Sequence, residues 1–323
     1  MRLSLLDRSR TRHGQAETAA LTHSVERAVE VEALGYERFW VAEHHTVPGI
    51  ASGSPAVLLA AIGVRTARIR LGSGGIMLPN HRPLVVAEQF RMLAALHPDR
   101  IDLGLGRSLG FTEPVRAALG RLEADPASFA REIAEVRGYL ENSAPLTARP
   151  ADAGEVPLFV LATGSGIDTA AELGLPVVLG GQFLDSPELP ERLDAYRRAF
   201  RPHRGSAPQV IVSVDALVAD TDAEARELAL PEVWAMVRSR TTGEFGPLEP
   251  VERIRAAEIS EREGRRLERG LAATVAGSAS TVRLRIEQLL ERTGAEEILA
   301  TGATYDRRAL AASDRELGRL LLG

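Results

Sequence analysis

Apolar residues along this chain follow two alternating rhythms. Short runs rich in Val, Ile, Leu and Phe are separated by longer stretches in which apolar positions return every three or four residues. The short runs read as buried strands and the longer stretches as amphipathic helices. Strands are predicted over 3–6, 38–41, 69–72, 101–105, 157–161, 177–179, 210–214 and 297–300. Helices are predicted over 22–34, 54–65, 83–96, 125–139, 189–200, 281–292 and 306–322, with a short one ending at Leu173. Ser54-Pro55 and Asp125-Pro126 are cap-and-proline starts, where the side chain caps and the fixed proline φ suits the first turn. Leu34-Gly35, Leu173-Gly174 and Thr293-Gly294 each end a helix just before a strand, as a glycine at C′ does. Eight strands, each followed by helix, are the count for a (β/α)8 TIM barrel. An open doubly wound α/β sheet is the other arrangement with this alternation. The surplus length lies in 111–155 and 222–270, as insertions after the fourth and seventh strands. Segments of that kind cover active sites or subunit contacts. No linker divides the chain, so one domain over 1–323 is expected.

Composition narrows the chemistry. The 323 residues are 45% hydrophobic and 26% charged, ordinary values for a globular protein. A formal net charge of −5 gives no nucleic-acid footprint. No apolar run approaches the ~20 residues of a membrane span, and the start (Met1-Arg2-Leu3-Ser4-Leu5-Leu6-Asp7) is too short and too soon acidic for a signal peptide. The cytoplasm is therefore expected. The absence of cysteine removes disulfides, thiolate nucleophiles and cysteine-ligated metals. All 39 basic residues are arginine, which removes Schiff-base chemistry and a Walker-A loop.

The chemistry-bearing residues fall where strands end. In a parallel α/β protein the carboxyl ends of the strands build the site. The 38–41 strand ends in Ala42-Glu43-His44-His45. Neighbours on a strand point to opposite faces, so the two imidazoles cannot share one. If Trp40 and Ala42 face inward, so does His44, which makes it the candidate for acid–base work; the alternative is a structural histidine. No metal site is expected, because a barrel site would more naturally use His-x-His. Ser73-Gly74-Gly75 bends the chain after the third strand, either as a plain turn or to let the backbone approach a flat ligand. Gly104-Leu105-Gly106-Arg107-Ser108-Leu109-Gly110 has the wrong glycine spacing for a dinucleotide fingerprint, and Thr112-Glu113-Pro114 opens no clean glycine-packed helix. What remains is Arg107 at a strand end, suited to gripping a phosphate. Ala162-Thr163-Gly164-Ser165-Gly166 joins a strand to a helix and offers either an anion pocket or a simple cap. Together these parts suggest a planar cofactor that carries a phosphate.

At these residues the chain resembles the bacterial luciferase-like family of flavin-dependent monooxygenases. The resemblance rests on Trp40-Val41-Ala42-Glu43-His44-His45, Leu71-Gly72-Ser73-Gly74-Gly75-Ile76-Met77-Leu78-Pro79, Arg100-Ile101-Asp102-Leu103-Gly104-Leu105-Gly106-Arg107 and Ala162-Thr163-Gly164-Ser165. Gly174-Leu175-Pro176 and Thr293-Gly294-Ala295-Glu296-Glu297-Ile298 extend it to nearly the whole chain. It implies a (β/α)8 barrel that uses reduced FMN, supplied by a separate reductase, and dioxygen to oxygenate a small organic substrate. It places the active-site histidine at His44, flavin contacts at Ser73, Gly74 and Gly75 with a non-prolyl cis bond between the glycines, the flavin-phosphate arginine at Arg107 and the phosphate loop at Thr163, Gly164 and Ser165. It also implies a homodimer through helices 54–65 and 83–96. Light emission is not expected, because the light-emitting chain carries cysteine where Gly106 stands. A deazaflavin-dependent dehydrogenase and a non-catalytic flavin-binding protein remain alternatives on the same barrel.

Overall fold

The computed structural model describes residues 1–110, 112–123, 125–162 and 164–323, with backbone only for Pro126 and Ala127. Eight parallel strands close into a barrel: β1 (Arg2–Asp7), β2 (Arg38–Val41), β3 (Arg70–Met77), β4 (Ile101–Gly106), β5 (Leu158–Ala162), β6 (Val177–Gly180), β7 (Val210–Val214) and β10 (Glu297–Ala300). They follow chain order around the ring, with β10 beside β1. Closure decides for the barrel over the open sheet, and each predicted strand lies in it. Two short strands outside the ring, β8 (Ala216–Val218) and β9 (Val275–Gly277), pair in parallel and were not legible at three residues each.

The strands are mostly apolar because both faces are covered. Leu6, Trp40, Ala42, Phe159, Val178, Ile211 and Leu299 fill the interior, where the Trp40 and Phe159 rings meet edge to face at 5.1 Å. The opposite faces pack against helices such as Pro83–Leu96, through Val86, Phe90 and Leu93. Gly174 and Gly294 end their helices at φ 64° and 61°, the left-handed conformation expected of them. Near Thr112 a short helix, Glu113–Ala118, does form; it buries no residue, so it is a surface turn and not the glycine-packed helix of a dinucleotide fold.

Two connections are long. That from β4 to β5 carries helices Glu113–Ala118 and Pro126–Leu140. That from β7 to β10 carries the small sheet and helices Asp222–Thr242, Val251–Arg255, Glu261–Ala273 and Ala279–Thr293. Capping boxes at Thr221/Glu224 and Ser260/Glu263 start two of them. The irregular chain after Leu140 is held by Arg91, 2% exposed, which donates to the Leu140 and Pro150 carbonyls at 2.6 and 2.7 Å. No helix among the described residues is long and apolar enough to cross a membrane.

Charges close the amino-terminal end of the barrel. Asp102 and Glu297, with side chains 0% exposed, share Arg38, which reaches them at 2.7 and 2.9 Å. Asp102 also accepts from Arg70 Nε at 3.0 Å and Trp40 Nε1 at 3.2 Å, and Glu297 from Ser4 Oγ at 2.6 Å. Removing one partner of a buried pair leaves an uncompensated charge and costs about 3–5 kcal/mol. Asp102→Ala, which removes the carboxylate partner of Arg70 and leaves Arg38 with Glu297 alone, is expected to lose stability of about that size in urea unfolding while keeping a native circular dichroism spectrum in buffer. A loss below ~1 kcal/mol would show that the network does not hold the floor.

Candidate functional site

The carboxyl ends of β2, β3, β4 and β5 bring the expected residues to one rim. Trp40 and Ala42 face the interior, as the alternation requires. His44, two residues on, stands where the charges of Arg8, Arg10 and Glu232 reach it. Burial, with Arg8 and Arg10 adding to it, depresses the His44 imidazole to about 4, so the ring is neutral at pH 7. Its backbone N–H is fixed on the Ser52 carbonyl at 2.9 Å. Glu43 and His45 turn the other way. Glu43 Oε1 lies 2.6 Å from His45 Nε2 and 2.7 Å from His81 Nε2, while Oε2 accepts the Met77 N–H at 3.0 Å. Burial opposes the Glu43 charge, but these hydrogen bonds outweigh it and bring the carboxyl down to about 2. The two imidazoles of His44-His45 thus separate, as adjacent residues at a strand end should.

β3 and β4 meet backbone to backbone. Ser73 pairs with Leu103 and Ile76 with Leu105, so β3 carries one extra residue, and the Gly74–Gly75 peptide within this bulge is cis. Ser73 Oγ donates to the Gly104 carbonyl at 2.8 Å. A Cβ on Gly104 would run into the Ser73 carbonyl, and one on Gly75 would sit 2.8 Å from the Gly104 oxygen and 2.9 Å from Leu161 Cδ1. At Gly74 it would meet Leu6 Cδ1 at 2.5 Å. Gly75 keeps part of its surface open where Ser73 and Gly74 are buried.

Arg107 follows β4 directly, and its Nη1 donates to Ser165 Oγ at 2.9 Å. Ser165 precedes helix Gly166–Leu173, and its hydroxyl makes no cap hydrogen bond to that helix. Gly164 is left-handed at φ 64° with open space where a Cβ would point. Arg192 braces the loop from behind through the Gly164 carbonyl at 3.0 Å. Guanidinium, hydroxyl, glycine and helix start together form a cradle that suits a phosphate monoester. Thr163, the remaining loop residue expected here, lies outside the described residues.

A family model described as luciferase-like monooxygenase matches residues 1–297. The chain belongs to the luciferase-like monooxygenase family. A luciferase-like monooxygenase of Escherichia coli (strain K12) is 35% identical over 315 residues, 95% of this chain and 92% of its own. The N-acetyl-S-alkylcysteine monooxygenase of Bacillus subtilis (strain 168) is 36% identical over 239 residues, 70% of each. Among solved structures, apo-MsnO8 superposes with a TM-score of 0.88 at 34% identity, covering 99% of this chain and 98% of that one.

On this luciferase-like barrel a second polar group, not anticipated from the sequence, flanks His44. Arg8, just past β1, donates to Asp215 Oδ1 at 2.7 Å and to the Thr301 carbonyl at 3.0 Å, and lies 3.2 Å from Glu232 Oε1. Arg10 holds the other Glu232 oxygen at 2.7 Å. Burial raises the Glu232 carboxyl, but Arg10 and Arg8 outweigh it, and the group stays below the usual range. One carboxylate between two arginines therefore ties helix Asp222–Thr242 to the β1 end of the rim. The only sequence signal was Arg8 standing two residues after inward-facing Leu6; Glu232 lay in the surplus segment 222–270.

Gly75→Ala tests the β3–β4 contact. The added methyl would press on the Gly104 carbonyl and Leu161, so thermal stability should fall, read by differential scanning calorimetry. Gly164→Ala, which meets no atoms but takes a left-handed φ, should cost only about 1–2 kcal/mol.

Proposed function

We propose that this chain is a flavin-dependent monooxygenase that uses reduced FMN, delivered by a separate reductase, and dioxygen to oxygenate a small organic substrate. The observation that carries this reading is the contact between Arg107 and Ser165 at the rim, beside open Gly164. Arg107, Gly164 and Ser165, with Thr163 from the same loop, would hold the FMN phosphate, and Ser73, Gly74 and Gly75 would lie under the ring. The bound flavin supplies the two electrons; one oxygen atom enters the substrate and the other leaves as water.

The chain's own residues would do the rest. His44, neutral at pH 7, carries one unprotonated ring nitrogen and would take a proton from the substrate or reacting oxygen and return it. The pairing of Glu232 with Arg8 and Arg10 keeps helix Asp222–Thr242 against the rim, which limits water. The same reading includes a homodimer. Helices Pro55–Gly63 and Pro83–Leu96 and the residue after the first leave Val57, Val64, Met92 and Leu96 exposed at 71, 76, 57 and 65%. Large apolar side chains so placed on neighbouring helices mark an interaction face.

Anaerobic titration with reduced FMN should show saturable binding, weakened about 10–150-fold in Arg107→Ala by loss of one charged hydrogen bond. His44→Ala should bind within about threefold of wild type, with oxygenation about 10²–10⁴-fold slower. Preference for a reduced deazaflavin without oxygen uptake would make the chain a dehydrogenase. Tight FMN binding with no oxygen uptake would make it a carrier. In sedimentation, wild type should run as a dimer and the double variant Val57→Glu/Met92→Glu as a monomer; an unshifted dimer would put the interface elsewhere.

A further inference from the structure

Glu43, His45 and His81 take no part in the flavin site, yet they bring a carboxylate oxygen and two imidazole nitrogens within 4.8 Å of one another. We propose that they form a binding site for a divalent ion of the zinc class. Neither Glu43 and His45 alone nor any spacing in the sequence suggested it; the fold supplies His81 from just past β3.

The donor set is the first reason. Two imidazole nitrogens and one carboxylate oxygen suit zinc and its borderline neighbours and are poor ligands for magnesium or calcium, which want oxygen. Geometry is the second. Both Nε2 atoms converge on a single oxygen, Oε1, at 2.6 and 2.7 Å. Zinc–ligand distances of about 2.0–2.2 Å with tetrahedral angles put donor atoms roughly 3.4 Å apart, so each ring need recede by only ~0.7 Å. Orientation is the third. Oε2 is fixed by the Met77 N–H at 3.0 Å, the kind of outer contact that holds a ligating carboxylate in place. Access is the fourth. The carboxylate side chain is 0% exposed, but His45 and His81 are 19 and 28% exposed, leaving a path in and a side for water. Coordination through Nε2 requires each ring to carry its proton on Nδ1, a tautomer open to any imidazole.

The ion would link the ends of β2 and β3, whose other residues, His44 and Gly74-Gly75, belong to the flavin reading. The proposal does not depend on that reading, since binding is measured without flavin. Full-length protein freed of metal by chelator is titrated with Zn²⁺ by calorimetry and with Co²⁺ by absorption. The expected result is one ion per chain, a visible Co²⁺ band, a rise in Tm with Zn²⁺ and none with Mg²⁺. His45→Ala and His81→Ala should each weaken binding at least about tenfold, and the double variant should abolish it. His203→Ala, distant and paired with Glu141, should change nothing. Where an alanine variant melts early, His81→Gln keeps a polar partner for Glu43 and should still lose the cobalt band. Absence of stoichiometric binding to folded wild type, or equal binding by the double variant, overturns the proposal.

Discussion

The constraint on which the rim depends is the contact of β3 with β4, where the two backbones leave no room for a Cβ at Gly104. Ser73, Gly75 and Gly104 are fixed by one another: a Cβ at Gly104 collides with Ser73, and one at Gly75 collides with Gly104. The extra residue in β3 is accommodated there, and the cis Gly74–Gly75 bond sits within it. Because interiors are close-packed and transmit small displacements, this contact also sets where the following segments start. Arg107 leaves β4 just past it, and Met77 leaves β3 toward Glu43 and His81.

The end of β2 divides labour by parity. Trp40 and Ala42 complete the apolar interior, and His44 continues the same side into a region where burial first, and the nearby Arg8 and Arg10 second, keep it neutral. Glu43 and His45, of opposite parity, turn toward β3 and satisfy each other there. Three consecutive residues therefore serve two environments without a loop between them. The same economy appears at β1, where Leu6 belongs to the interior and Arg8 joins Asp215, Thr301 and Glu232 at the rim.

Much of this was legible in the sequence. The eight barrel strands announced themselves as apolar runs because both their faces are buried, and the Leu173-Gly174 and Thr293-Gly294 handovers marked helix ends through backbone chemistry that is local. Arg107 and Ser165 could be named because each stands at the end of a strand, where the fold class places function. What escaped was non-local. His81 meets Glu43 only because β2 and β3 are neighbours, and Glu232 meets Arg8 only because a long charged helix folds back across the ring. The pairing of β8 with β9 escaped for a different reason: three residues carry too little period to distinguish strand from loop. Arg192, which steadies the Gly164 carbonyl, sits on a helix whose pattern gave no hint of its reach.

The plug at the amino-terminal end has a kinetic consequence. Arg38, Asp102 and Glu297, with the Trp40 and Phe159 rings edge to face beyond them, fill that end of the ring. Every molecule that reaches the rim must then depart by the way it came. Any two molecules that bind within the rim would share one doorway, so the deeper one would have to arrive first and depart last.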